Sequence, residues 1–287
     1  MLQPTRYSDV NLRQAQAWNG ETGRAWVEGR ELLDLIYQPV VEEILAACPP
    51  WGGSRVLDVG CGAGAVTIAY ARHLNSGPPC VGIDFSSCMI EAARTRSEQE
   101  RANASFIQGD AQVYPFEEAS FDLLVSRFGV MFFDDPVRAF ANLRSAAKPN
   151  AKACFAVWRG PADNVFMREA ELAAAPFLLE APPPDPNAPG RFALADRDRI
   201  DGILSNSGWR QVKILHADIP CSFPVSDLDY MFTSFGAIGA AFRQLGEASQ
   251  AQLVEKVRPV FARHIVGDEV RFIAGCWIVL AHASQRA

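Results

Sequence analysis

Residues 52–158 predict an α/β fold in which a parallel sheet is covered by helices on both faces. Two observations carry this. Short apolar runs alternate with amphipathic stretches of helical length, and the first run, "RVLDVG", leads directly into "CGAGAVTIAYAR", with three glycines in five positions. Apolar runs of four to eight residues read as strands buried on both sides, and their alternation with helical patterns reads as successive strand–helix–strand units.

The elements follow in order. Residues 10–48 have helical spacing of Trp18, Trp26, Leu32, Leu33, Ile36, Val40 and Val41, which predicts a helical cap over residues 1–50. Val56, Leu57 and Val59 form the first strand, and the helix begins near Val66. "CVGIDF" is the second strand, followed by the helix "SCMIEAARTRSEQER". "ASFIQGDA" is the third and "FDLLVSRFGVMFF" the fourth, running into a loop. "DDPVRAFANLRSAAKP" reads as a helix and "AKACFAVW" as the fifth strand. Beyond residue 160 the pattern changes. Residues 161–180 are helical and alanine-rich, "APPPDPNAPG" is a proline-rich loop, and "DRDRIDGILSNSGW" is a short helix ending at a glycine. "QVKILHADIP" and "VRFIAGCWIVLAHA" resume the sheet within the same domain (residues 161–287). Between them lies a helical insertion over about residues 222–266. Insertions of that length commonly serve as lids.

Composition narrows the function classes. The 287 residues are 49% hydrophobic and 21% charged, ample for one large globular domain. A net charge of −6 and pI near 5.3 argue against nucleic acid as a partner. No apolar run reaches the roughly 18–20 residues of a membrane span, and the first residues lack a signal peptide's apolar core; a cytoplasmic location is expected. Seven cysteines without a C-x-x-C read as reduced buried thiols. Four histidines without an i, i+4 pair suggest no metal site.

The glycine turn raises the question of its ligand. Glycine lets backbone approach a ligand closely, and a helix N-terminus presents free N–H groups. A nucleotide-like cofactor is therefore expected. Gly60-Cys61-Gly62-Ala63-Gly64-Ala65 also fits a variant of the dinucleotide fingerprint. Asp84 closes the second strand twenty residues after Gly64, the spacing at which a carboxylate reaches ribose hydroxyls. Asp58, just before the first glycine, suggests a cationic moiety nearby, and Asp110 can accept from an exocyclic amine. Three acids at three strand ends, without a Y-x-x-x-K, tilt away from hydride transfer.

At "VLDVGCGAG", "GIDFSSCMIEAAR" and "GDAQVYPFEEASFDLLVSRFGVMFFDDPVRAFANLRSAAKP" the chain resembles the class I S-adenosylmethionine-dependent methyltransferases, specifically the ubiquinone and menaquinone type of small-molecule enzyme. "WNGETGRAWV" and "GCWIVLAHA" match more loosely. The resemblance implies a Rossmann-like sheet of seven strands, the last antiparallel. It implies S-adenosylmethionine as cofactor, S-adenosylhomocysteine as product, and a cofactor core at residues 51–160. Gly60, Cys61, Gly62 and Gly64 would cradle the cofactor, Asp84, Phe85 and Met89 would meet its ribose side, and Asp110 and Ala111 its adenine. The backbone at the end of the fourth strand, Ser126-Arg127, would face the methionine part, Asp58 would sit near its amino group, and Trp26 would close over it. Two departures stand out. The turn usually written K-P-G-G is Lys148-Pro149-Asn150-Ala151, and a histidine common after the fourth strand is replaced by Phe128-Gly129-Val130-Met131-Phe132-Phe133.

For the methyl acceptor, a small and partly hydrophobic molecule, the expected pocket is Phe128, Met131, Phe132 and Trp158 with Tyr230 and Phe235 from the insertion. No general base is evident; His216 is the candidate, against a structural role. Three readings stand: methyl transfer to oxygen, nitrogen or carbon; an NAD(P)-dependent oxidoreductase; and an adenosylmethionine-binding protein without methyl transfer.

Overall fold

The computed structural model describes residues 9–74, 77–178 and 188–284; side chains are described from residue 14. Residues 179–187, with most of the proline-rich loop, lie outside them. Three helices lead the chain: α1 (Asp9–Asn19), α2 (Glu21–Glu28) and α3 (Arg30–Ala47). The alternating core follows, with β1 (Val56–Val59), α4 (Ala65–His73), β2 (Cys80–Asp84), α5 (Ser87–Glu100), β3 (Ala104–Gln108), β4 (Phe121–Arg127), α6 (Pro136–Ala146) and β5 (Ala147–Trp158). The remainder is α7 (Val165–Ala174), α8 (Arg197–Asn206), β6 (Trp209–Pro224), α9 (Leu228–Ser234), α10 (Gly236–Phe242), α11 (Glu247–Val257), β7 (Ile265–Val266) and β8 (Glu269–Ala283).

The sheet order is β3-β2-β1-β4-β5-β8-β6. β1 to β5 pair in parallel, and β8 runs antiparallel to both β5 and β6. The expected antiparallel last strand is therefore present, wedged between its neighbours. An eighth strand is added to the expected seven. β7 pairs with the start of β8 through a two-residue turn in which Gly267 has φ +67°, the conformation tight hairpins require. The pieces that form it are too short to stand out as a strand in the sequence.

Local chemistry starts the helices where the pattern predicts. Ser86, Asp135 and Asp196 cap α5, α6 and α8 by accepting from the backbone N–H of Met89, Arg138 and Arg199. Pro136 follows its cap at the first helical position. Gly208, with φ +88°, ends α8. Asn150 takes the left-handed conformation, φ 65°, and so does the job of the missing glycine in the Lys148-Pro149-Asn150-Ala151 turn. α3 packs across β4, β5, β6 and β8 and touches α4, whereas α6 and α8 pack together against β5 and β6. Both layers are tied by buried polar groups. The Tyr70 hydroxyl donates to Cys48 O at 2.8 Å, and Trp209 Nε1 donates to Phe140 O at 3.0 Å. All seven cysteines are free, and only Cys88 is not fully buried. No helix among the described residues is long and apolar enough to cross a membrane.

Candidate active site

β1, β2, β4 and β5 end at Val59, Asp84, Arg127 and Trp158, and all four residues open onto one cavity of about 520 Å³. This is the sheet's carboxyl edge, where open α/β sheets take their ligands, and the volume suits a small-molecule site. α1 and α2 close it on one side with Trp18 and Trp26, and α9 and α10 on another with Phe232, Phe235 and Ile238.

The glycine loop forms one end. Gly60, φ +67°, approaches Gly129 so closely that a Cβ on Gly60 would lie 2.6 Å from Gly129 Cα. Gly62, φ +53°, would meet nothing within 4 Å; its open side is space a ligand can take. Gly64 plays a different part from the expected one. It is buried and absent from the cavity wall, and a Cβ there would press on Phe106 at 3.0 Å. It lets α4 pack against the sheet. Cys61, Phe85, Met89 and Ala111 line the cavity beside the loop.

Three acids stand along this end. Asp84 Oδ2 accepts from Gly62 N–H at 2.8 Å and Oδ1 from Ser86 N–H at 2.9 Å, so one carboxylate locks the glycine loop to the start of α5. Burial raises its pKa, and these N–H groups oppose the rise. Asp110 is likewise raised by burial against the pull of Gln112 N–H. Asp58 is 1% exposed; Oδ2 accepts from the Thr67 hydroxyl at 2.6 Å, and Oδ1 has no partner among the described residues. Burial pushes its pKa up to about 7, with Thr67 and Arg127 pulling the other way.

Strand geometry separates Ser126 from Arg127, because neighbours on a strand point to opposite faces. Arg127 lines the cavity, 3.5 Å from Asp34, with Nη1 buried and unpartnered among the described residues. Ser126 is buried away from it, donating to Val59 O at 2.7 Å and accepting from Gly129 N–H at 3.1 Å. Its side chain clamps β1 to β4, so only its backbone is left to meet a ligand.

The other end is aromatic. Phe128 takes a left-handed φ of 64°, rare for a bulky residue and costing on the order of 1–3 kcal/mol. That turn stacks its ring on Trp158, 4.3 Å apart at 6°. Met131 and Phe132 complete this wall. Phe235 lines the cavity and meets Trp26 edge-on at 5.9 Å. Two expected residues do not reach it. Tyr230 is 41% exposed on the outside of α9 and backs the Phe235 ring. His216 sits on β6, the edge strand, beside Arg159 and Trp277 and away from the cavity, so it is not placed to act as a base.

Sequence reasoning missed one whole face. Arg30, Leu33, Asp34 and Tyr37 of α3 line the cavity, as do Glu171 of α7 and Arg191. The positions 30, 33, 34 and 37 follow helical spacing, so polar residues inside that stripe were the available signal. Glu171 and Arg191 carried none, since tertiary packing alone brings them in.

Residues 56–150 match the family described as a methyltransferase domain. The demethylmenaquinone methyltransferase of Renibacterium salmoninarum is 29% identical over 184 residues, covering 61% of this chain and 73% of that protein. The aklanonic acid methyltransferase DauC of Streptomyces sp. (strain C5) is 36% identical over 106 residues, covering 37% and 48%; the chain spans about half the length of that relative. Among solved structures, the Haemonchus contortus phosphoethanolamine N-methyltransferase 2 in complex with S-adenosyl-L-methionine has a TM-score of 0.59 at 17% identity, covering 99% of this chain and 62% of that one, a likeness of fold. Residues 56–150 thus carry a methyltransferase domain, and with its glycine loop and strand-end acids the chain is similar to the class I S-adenosylmethionine-dependent methyltransferases.

Proposed function

We propose that the protein binds S-adenosylmethionine at the glycine-loop end of the cavity and methylates an oxygen, nitrogen or carbon nucleophile of a small, partly hydrophobic molecule held at the aromatic end. The observation that carries this reading is the pairing of an open glycine loop with two buried, opposite and unpartnered polar atoms, Asp58 Oδ1 and Arg127 Nη1. Such a pair fits the ammonium and carboxylate of an amino acid.

In that reading Gly62 gives the cofactor room, Asp84 accepts from its ribose hydroxyls and Asp110 and Ala111 border its base. The bound cofactor supplies an activated methyl on a positive sulfur. The protein's share is then to align the nucleophile and keep water away. Phe128, Trp158 and Phe132 orient an apolar acceptor, and the insertion with Phe235 acts as a lid. A pyrophosphate would bring negative charge to the loop directly above the buried Asp58, which disfavours the nicotinamide alternative. Calorimetry with S-adenosylmethionine against NAD(P) tests the choice. Formation of S-adenosylhomocysteine with phenols, amines, quinols and carboxylic acids then separates an enzyme from a binding protein.

A further inference from the structure

We propose that the aromatic end of the cavity selects a planar, conjugated acceptor that arrives as an oxyanion, with the Tyr37 hydroxyl and the Arg191 guanidinium as its hydrogen-bond donors. This deepens the methyltransferase reading and rests on it.

The wall sets the shape. Phe128 and Trp158 are stacked, and the Tyr37 ring meets both edge-on, at 5.5 and 5.8 Å. A flat conjugated ligand can extend this set of ring faces and edges with little rearrangement.

The polar groups set the charge. Tyr37 lines the cavity, and no described residue shares a hydrogen bond with its hydroxyl. Burial holds its proton on against the pull of Arg191 and Arg127, so at neutral pH the group donates to a ligand and takes no proton from one. Arg191 also lines the cavity. Nη2 donates to Glu171 at 3.0 Å and Nη1 to the Met167 sulfur at 3.2 Å, which uses two of its five N–H groups. The acids at this end are engaged: Glu171 by Arg191, and Asp34 by Arg96 at 2.5 Å and Arg127 at 3.5 Å. No histidine lines the cavity among the described residues. This end therefore offers hydrogen-bond donors, one of them on a guanidinium, without a free base.

An acceptor oxygen already ionised matches that inventory. Its lone pair forms the new O–CH3 bond as the S–CH3 bond breaks and leaves its pair on sulfur. The anionic and cationic charges cancel, and no proton has to be removed. An aromatic carboxylate, giving an ester, and an acidic enol or phenol, giving an ether, share this chemistry.

The test is calorimetry at neutral pH on the full chain saturated with S-adenosylhomocysteine. The anions are 2-naphthoate and 2-hydroxy-1,4-naphthoquinone; their neutral counterparts are 2-naphthamide and 2-methoxy-1,4-naphthoquinone. At least one anion is expected to bind about tenfold tighter than its neutral partner. Preference for the naphthoate points to ester formation, and for the quinone to ether formation. Tyr37→Phe keeps the ring and removes the donor; it should cost the preferred anion about tenfold while leaving neutral compounds and S-adenosylhomocysteine unchanged. Arg191→Met should act in the same direction. Equal affinity for anion and neutral partner, no anion binding, or a Tyr37→Phe loss shared by the neutral compounds overturns the inference. Failure of S-adenosylhomocysteine itself to bind overturns the methyltransferase reading and this one with it.

Discussion

Asp58 is held in two opposing ways. Burial favours its neutral form, lifting its pKa to about 7, while the ammonium group of the proposed cofactor would favour the charged form. In the free protein the folded state holds this proton more tightly than the unfolded chain does. The resulting contribution to stability is fully present below the unfolded value of 3.8 and is lost as pH rises through about 7. Binding has the reverse slope. S-adenosylmethionine affinity should rise as pH increases toward about 7 and then level off, and Asp58→Asn should flatten that profile in calorimetric titrations. A wild-type profile as flat as the variant's would remove Asp58 from the cofactor's amino end. Asp84 supports a second expectation. Asp84→Ala deletes a charged acceptor and also releases the Gly62 and Ser86 N–H groups it holds. Affinity should fall by about 1.5–3 kcal/mol; an unchanged dissociation constant in a folded variant would contradict the ribose role.

Among the elements, one chain of rings joins the parts that close the cavity. Phe132 meets Trp18 at 5.4 Å, Trp18 meets Trp26 at 5.6 Å, and Trp26 meets Phe235 at 5.9 Å, all edge-on. α1 is further pinned to the start of α5, where the Ser86 hydroxyl donates to Trp18 O at 2.6 Å and Ser87 N–H to the Asn19 side chain at 2.8 Å. The cap is thus anchored two residues beyond Asp84. Trp26→Ala breaks the link in its middle. Amide exchange should quicken across α2, α9 and α10 and stay unchanged in β1 and α4, because only the former depend on the rings. Uniform quickening would make Trp26 a general core residue. In the lid reading Phe235→Ala should alter acceptor turnover more than cofactor affinity, and the outward-facing Tyr230→Ala should do less of either. The converse ranking would mean that the cavity side of α9 and α10 is not what contacts the acceptor.

The same elements show what was readable beforehand. The strand order's inputs, the glycine loop and the strand-end acids are local: a buried apolar run, a glycine needed at positive φ, a carboxylate at a strand terminus. Gly64 illustrates the limit, since packing against Phe106 and cradling a ligand both call for glycine. Strand alternation alone predicts that the Ser126 side chain turns to the face opposite that of Arg127. Arg191 could not have been found, because only the folded chain brings it to the cavity that Tyr37 also lines.

For the whole molecule, one cavity is built from distant parts of the chain. The glycine loop and the strand-end acids supply one end, and the residues after β4 with α7, α9 and α10 the other, while α1 to α3 add further lining residues. A ligand that touches several of these parts in the folded state and none in the unfolded chain must raise the unfolding free energy by RT ln(1 + [L]/Kd). At a hundredfold excess over Kd that is about 2.7 kcal/mol. For a chain of this size each kcal/mol moves the melting midpoint by roughly 2–4 °C, so S-adenosylmethionine should raise Tm by roughly 5–10 °C. S-adenosylhomocysteine should do so as well, because in the proposed reading the glycine loop, Asp84 and Asp110 address the part of the cofactor that survives the reaction. NAD(P) should leave Tm unchanged. Scanning fluorimetry across a concentration series separates the outcomes: a shift with NAD(P) matching that with S-adenosylmethionine would favour hydride chemistry, and no shift with either would leave the glycine turn as packing alone.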